Sequence, residues 1–197
     1  MRRTGALLIA LVLLVTGCTD DDPEPSAEDQ AELFVYASER LPDELLQEAA
    51  PAGYEVERIV RHGPERTHSE WVTVGARMNG PVDFTRAIFY VHVDETSAAR
   101  LNREQIRITK RDNERLHERP FHYSGRIPAP SEVSNGDVTA TCGVRSDSLI
   151  WCHAQRDRLY LLVQSRAGTY PVSNKGPVTE EQLEAAGTVT AAYLELL

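Results

Sequence analysis

Residues 138–164 read VTATCGVRSDSLIWCHAQRDRLYLLVQ. Apolar side chains recur at every second position, with breaks near Ser146-Asp147-Ser148 and Arg156-Asp157. A period of two is the mark of half-buried strands, so the stretch predicts three antiparallel strands at about 137–145, 149–156 and 158–165. Cys142 and Cys152 test the register, because a hairpin centred on Asp147 sets them opposite each other. Arg145 then faces Leu149 across a three-residue loop, and Val144–Ile150 and Ala140–Ala154 join the cysteines on one face. A two-residue turn at Arg156-Asp157 places Ala154 opposite Leu159, Cys152 opposite Leu161 and Ile150 opposite Val163. A slip of one residue would move all of these side chains to the other face.

Directly opposed cysteines suit a disulfide, most easily at a non-hydrogen-bonded pair. The structural bond is the leading expectation for Cys142 and Cys152. A redox-active pair is the alternative, although no CxxC is present, and a metal pair comes third because no further Cys or His lies at ligand spacing. The second face of the same strands carries Trp151 across from Gly143 and beside Leu162, with His153 next to Tyr160. It too is rather apolar, so a helix or a small apolar ligand must cover it.

Outward from this unit, strands are expected at about 54–61, 70–78 and 84–93, with a turn at Asn79-Gly80-Pro81. Residues 31–50 lean helical, with Ser26 and Asp29 as an N-terminal cap and Pro42 opening a second short helix. A polar helix follows from Asp94 or Thr96 to Lys110 or Leu116, and residues 119–136, with three prolines, read as an irregular connection. A last helix starts at Glu180 behind the capping box Thr179–Gln182 and presents Leu183, Ala186, Thr190, Tyr193 and Leu197 on one face. The expected fold is α+β, an antiparallel sheet of about six strands in two three-strand groups, covered by helices. Its element order alone resembles the Mog1/PsbP-like sandwich domains of some lipoproteins.

The N-terminus reads as a targeting segment. Arg2 and Arg3 precede an apolar run at residues 6–16, which is shorter than the roughly 20 residues a membrane-spanning helix needs. Val15-Thr16-Gly17-Cys18 resembles the lipobox of bacterial lipoproteins. That resemblance implies a signal peptide over residues 1–17, cleavage before Cys18, and diacylglycerol with a further acyl chain such as palmitate on that cysteine. Two or more chains hold a protein to a membrane stably. Arginine outnumbers lysine 19 to 2, which reads as coding bias of a GC-rich genome and, with the lipobox, as an actinobacterial type of lipoprotein. Residues 18–32 hold seven acidic and no basic side chains together with Pro23 and Pro25, a composition expected of a flexible tether. Residues 33–197 are left as a single extracytoplasmic domain of the cell membrane's outer face.

The whole chain carries a formal charge of −9, against the basic balance of a nucleic-acid binder. GxSxG, SxxK, HExxH, phosphate-loop and dinucleotide motifs are absent, so no catalytic residue, cofactor or metal site is assigned. The six histidines, His62, His68, His92, His117, His122 and His153, show no ligand spacing and read as surface or satisfied side chains. Arg100, Arg103, Arg107, Arg111 and Arg115 recur at helical spacing opposite Ala98, Leu101, Ile108 and Leu116. The stripe is either a dock for an anionic envelope component or membrane protein, or a solvated face laced by pairs such as Arg100–Glu104 and Lys110–Glu114. The leading expectation is a membrane-anchored, non-enzymatic binding, sensing or accessory domain. An extracytoplasmic hydrolase-like enzyme and a structural envelope protein are the alternatives.

Overall fold

The computed structural model describes residues 26–62, 71–80, 83–118, 127–146, 149–167 and 178–197. The elements are α1 (Ala27–Arg40), α2 (Asp43–Glu48), β1 (Glu55–His62), β2 (Trp71–Asn79), β3 (Asp83–His92), α3 (Glu95–His117), β4 (Ser131–Asn135), β5 (Val138–Ser146), β6 (Leu149–Arg156), β7 (Leu159–Ala167) and α4 (Glu180–Leu194). All seven strands form one antiparallel sheet in the order β1-β2-β3-β7-β6-β5-β4. The protein is α+β, as the alternation predicts, with one strand more than expected. That strand, β4, lies in the stretch read as irregular. Its sequence SEVSN is too short and polar to signal a strand, and it forms because the turn at Gly136, with φ of 60°, returns the chain alongside β5.

α1 starts at Ala27, so residues 27–32 of the expected tether are helical. Ser26 and Asp29 make a reciprocal capping box that satisfies backbone donors at the helix start, and Thr179 and Gln182 do the same for α4. The run LFVYA at 33–37 is helical, as expected for residues 31–50, with Leu33 and Ala37 buried one turn apart.

One face of the sheet is a continuous apolar core under α1, α2 and α4. Ladder rows cross it in register: Ala76, Ala87, Val163, Cys152 and Cys142 form one, and Val74, Phe89, Leu161 and Ala154 the next. The predicted stripe of α4 is buried on these rows, and the Tyr193 hydroxyl donates to the Leu46 carbonyl at 2.8 Å. α3 packs on the opposite face, over β5, β6 and β7.

The hairpin β5–β6 pairs Cys142 with Cys152 and Val144 with Ile150, as the spacing requires. A bulge lifts Arg145 out of the ladder, so Ser146, not Arg145, stands opposite Leu149. The second turn falls one residue later than read, at Asp157-Arg158, because Asp157 adopts a positive φ of 50°, which a short polar side chain tolerates. Ala154 therefore pairs with Leu161 and Cys152 with Val163, while Ile150 stands opposite Ser165 and Trp151 opposite Gln164. The register moves by two residues, so each side chain keeps its face.

The sulfurs of Cys142 and Cys152 lie at disulfide distance, 2.01 Å, and both residues are fully buried in the core. Native protein isolated without reductant is expected to resist alkylation at both positions and to weigh two hydrogens less than the dithiol. The Cys142→Ala/Cys152→Ala double variant should lose about 2–3 kcal/mol, the chain-entropy value for a loop of about ten residues. Mass spectrometry and urea unfolding check these outcomes, and two free thiols in the native protein contradict them.

Candidate functional site

The residues singled out in the sequence fall in three separate places. Cys18 and the acidic residues up to Pro25 lie outside the described residues. Cys142 and Cys152 sit inside the core. Arg100, Arg103, Arg107, Arg111 and Arg115 are all exposed on the side of α3 away from the sheet. Arg111 leans on its neighbour Asp112 at 3.4 Å, and Arg103, Arg107 and Arg115 make no ion pair among the described residues. The stripe is thus a convex solvated edge without walls.

The opposite side of α3 is polar as well, and this the apolar-face reading of Ala98, Leu101, Ile108 and Leu116 misses. The side chains turned to the sheet are Ala98, Asn102, Gln105, Thr109 and Asn113, with Leu116 packed on the core at the last turn. Gly143 lets the helix approach, since a β-carbon there would stand 2.9 Å from Thr109 Cγ2. Thr109 Oγ1 then reaches His153 Nε2 at 2.8 Å, and His153 Nδ1 meets the Tyr160 hydroxyl at 2.6 Å. Arg145 closes the edge by stacking 3.7 Å over the Trp151 ring while contacting Gln105 at 3.2 Å and Asp112 at 3.4 Å. Burial, reinforced by the Arg145 guanidinium, lowers His153 to about 3. Tyr160 is pushed well above the ordinary phenol range, by burial first and then by the neighbouring Tyr90. His153 has hydroxyl partners on both nitrogens and is 0% exposed, so this network is a sealed joint between helix and sheet.

Beyond the joint the same face is open. α3 rests on the β5–β7 half and the neighbouring β3, and this side of β1 and β2 is left partly or fully exposed. The register builds three rows there. Arg58, Arg77 and Arg86 stand directly opposite one another on β1, β2 and β3. Val60, Gly75 and Ile88 form the next row, and His62, Thr73 and Tyr90 the third. All of these except Tyr90 line an open basin of about 220 Å³. Adjacent strands run about 4.8 Å apart, so the first row brings three guanidinium stems side by side. Glu57, the extra residue of a bulge in β1, places Oε2 2.9 Å from Arg77 Nε. Val72, Val74 and Ala76, which alternate with the basin residues of β2, are buried in the core below.

The sequence reading of β2 and β3 as alternating strands already implies that Arg77 and Arg86 point away from the core. What it lacks is the pairing that sets them opposite each other and beside Arg58. Among the described residues, no three His, Cys, Asp or Glu side chains gather as a metal site, and no helix is long and apolar enough to cross a membrane.

His92, at the end of the third row's strand, is 1% exposed and is lowered to about 4 by burial, with Asp94 opposing and Arg100 adding to the shift. With both imidazoles held neutral, the unfolded chain binds protons that the folded chain refuses between about pH 6.5 and the folded-state values. Stability is therefore full above pH 7 and is lost as the pH falls, by on the order of 2 kcal/mol per histidine between pH 7 and 5. Urea unfolding across that range should show the slope, and His153→Gln should remove about half of it. A flat profile would mean that the imidazoles are charged in the folded protein.

No family model, curated protein or solved structure matches this chain, so its function rests on the chemistry of the site.

Proposed function

We propose that this protein is a lipid-anchored, extracytoplasmic, non-enzymatic binding domain whose docking face is the open half of the sheet over β1, β2 and β3. The observation that carries the reading is the asymmetry of that sheet. One half is covered on both sides by α3 and α4, and the other presents an open basin to solvent. The histidine best placed for acid–base chemistry, His153, is locked between two hydroxyls under α3 and kept neutral by burial, which favours binding over catalysis at the joint.

The anchor supplies the address. Lipid chains on Cys18 hold the mature N-terminus at the membrane surface. Eight residue steps separate Cys18 from Ser26, so α1 starts no more than about 30 Å from the anchored cysteine even with the chain fully extended. The acidic side chains in between keep the domain solvated and off an anionic surface. The domain therefore meets its ligand close to the membrane.

Cys18→Ser is expected to abolish incorporation of labelled fatty acid and to move the protein from the membrane to the soluble fraction. Retention in the membrane would reject the anchor. A photoreactive residue at position 73, in the basin, should give adducts in intact cells in larger yield than one at the exposed Gln47 of α2. Equal yields would reject the docking face.

A further inference from the structure

β1 ends the sheet on one side and β4 on the other, so a site at β4 stands apart from the docking face over β1, β2 and β3. We infer that the groove between β4 and α4 binds a short, extended, basic peptide segment of a partner protein, which joins the sheet as a strand beside β4.

Two elements that meet closely build the groove. Gly187 lets α4 approach β4, since a β-carbon there would stand 3.2 Å from Val133 Cγ2. Asn135 ties the end of β4 to the helix, donating from Nδ2 to the Ala191 carbonyl at 3.3 Å and to Glu195 Oε1 at 3.2 Å. Ahead of β4, Asn113 of α3 donates to the Pro128 carbonyl at 3.1 Å and holds the segment that leads into the strand. Between these fixed points lies an open groove of about 650 Å³, with Leu183 and Val133 among its apolar walls. That volume is within the range of ligand sites, and its walls are in place before anything binds.

β4 also offers backbone groups. Its five residues pair with β5 on one side, and among the described residues no strand pairs with its other edge. An edge strand leaves every second N–H and C=O without a ladder partner, a template for one more strand. Five residues span about 17 Å, which sets the length of the added segment.

Carboxylates select which strand is admitted. Glu132 on β4 and Glu180 and Glu184, one turn apart on α4, line the groove and are exposed. No cation among the described residues pairs with them. Glu180 suits the positive end of α4, but Glu184 lies in the second turn and Glu132 on a strand, so the helix dipole explains neither. A second copy pairing through β4 would bring these carboxylates against their own kind, which guards the edge from self-association. A segment carrying Lys or Arg turns the same charges into attraction, and its small apolar side chains cover Leu183 and Val133.

The test uses the intact lipid-anchored protein in nanodiscs of phosphatidylcholine, with the capped peptide Lys-Val-Lys-Val-Lys as probe in calorimetry and Glu-Val-Glu-Val-Glu as control. The basic peptide should bind saturably and at least tenfold more tightly than the acidic one, with an affinity that falls as salt rises. Methylating its amide nitrogens in one alternate set should weaken binding at least tenfold, and in the other set far less, because one set alone faces the neighbouring strand. Glu132→Gln/Glu184→Gln should weaken binding at least fivefold. Thr188→Trp, at an exposed position lining the groove, should block it, and both variants should keep the wild-type circular dichroism. Absence of saturable binding would overturn the inference, as would wild-type affinity in either variant or equal effects of the two methylated sets. A dimer that Thr188→Trp dissolves would overturn it in favour of a second copy. Adducts at position 73 report on the docking face alone and should be unchanged in Thr188→Trp.

Discussion

The pairing of β3 with β7 is the contact on which the rest of this molecule depends. Each side of that seam is a three-stranded meander built from near neighbours in sequence, with the short β4 added to one of them. The seam alone joins residues about 75 positions apart, such as Ala87 with Val163 and Phe89 with Leu161. Its register carries every ladder row across the whole sheet. On one face it continues the apolar rows beneath α1 and α4. On the other it brings Tyr90, which stands opposite Thr73, beside Tyr160 at the joint under α3, with ring centroids 5.4 Å apart. A seam slipped by one residue would set the small row of Ala87 and Val163 against the polar face and leave neither layer of helices a surface to cover.

From that seam follows the unequal treatment of the two halves. α3 can lie close to the sheet only where a strand has no side chain in the way, and Gly143 on β5 provides that place. The helix is then fixed by polar contacts, Thr109 to His153 and Asp112 and Gln105 to Arg145, more than by an apolar stripe. A helix tied to those partners cannot also shelter β1 and β2. The open basin is the geometric remainder of where α3 is held.

Much of this was legible in the sequence because it is local. Period-two alternation locates six of the seven strands to within about two residues, the spacing of Cys142 and Cys152 sets the register of their hairpin, and Ser26–Asp29 and Thr179–Gln182 mark two helix starts. What escaped was of two kinds. Turn chemistry hides small displacements: Asp157 at positive φ moves one hairpin by two residues without changing any face, so binary pattern cannot detect it. Non-local pairing hides the rest. The inward polar stripe of α3 makes sense only once His153 and Arg145 are known to lie beneath it. The arginine row exists only through the ladder of β1, β2 and β3, and Arg58 is shifted into it by a bulge at Glu57 that no alternation predicts. The disulfide partners were visible because they lie ten residues apart. The basin was not, because its rows draw on three strands at once.

The distribution of stabilising contacts bears on why the arginines stand where they do. The half of the sheet around β5, β6 and β7 carries the cysteine pair, the helix joint and most of α4, whereas β1 is an edge strand with a bulge and one helix face against it. Local stability in a fold is uneven, and binding regions draw on the less stable part. Here the firmly held half can tolerate a neighbour that departs from the usual rules of strand pairing. The register puts Arg58, Arg77 and Arg86 side by side on that less firmly held half, next to the apolar row of Val60, Gly75 and Ile88.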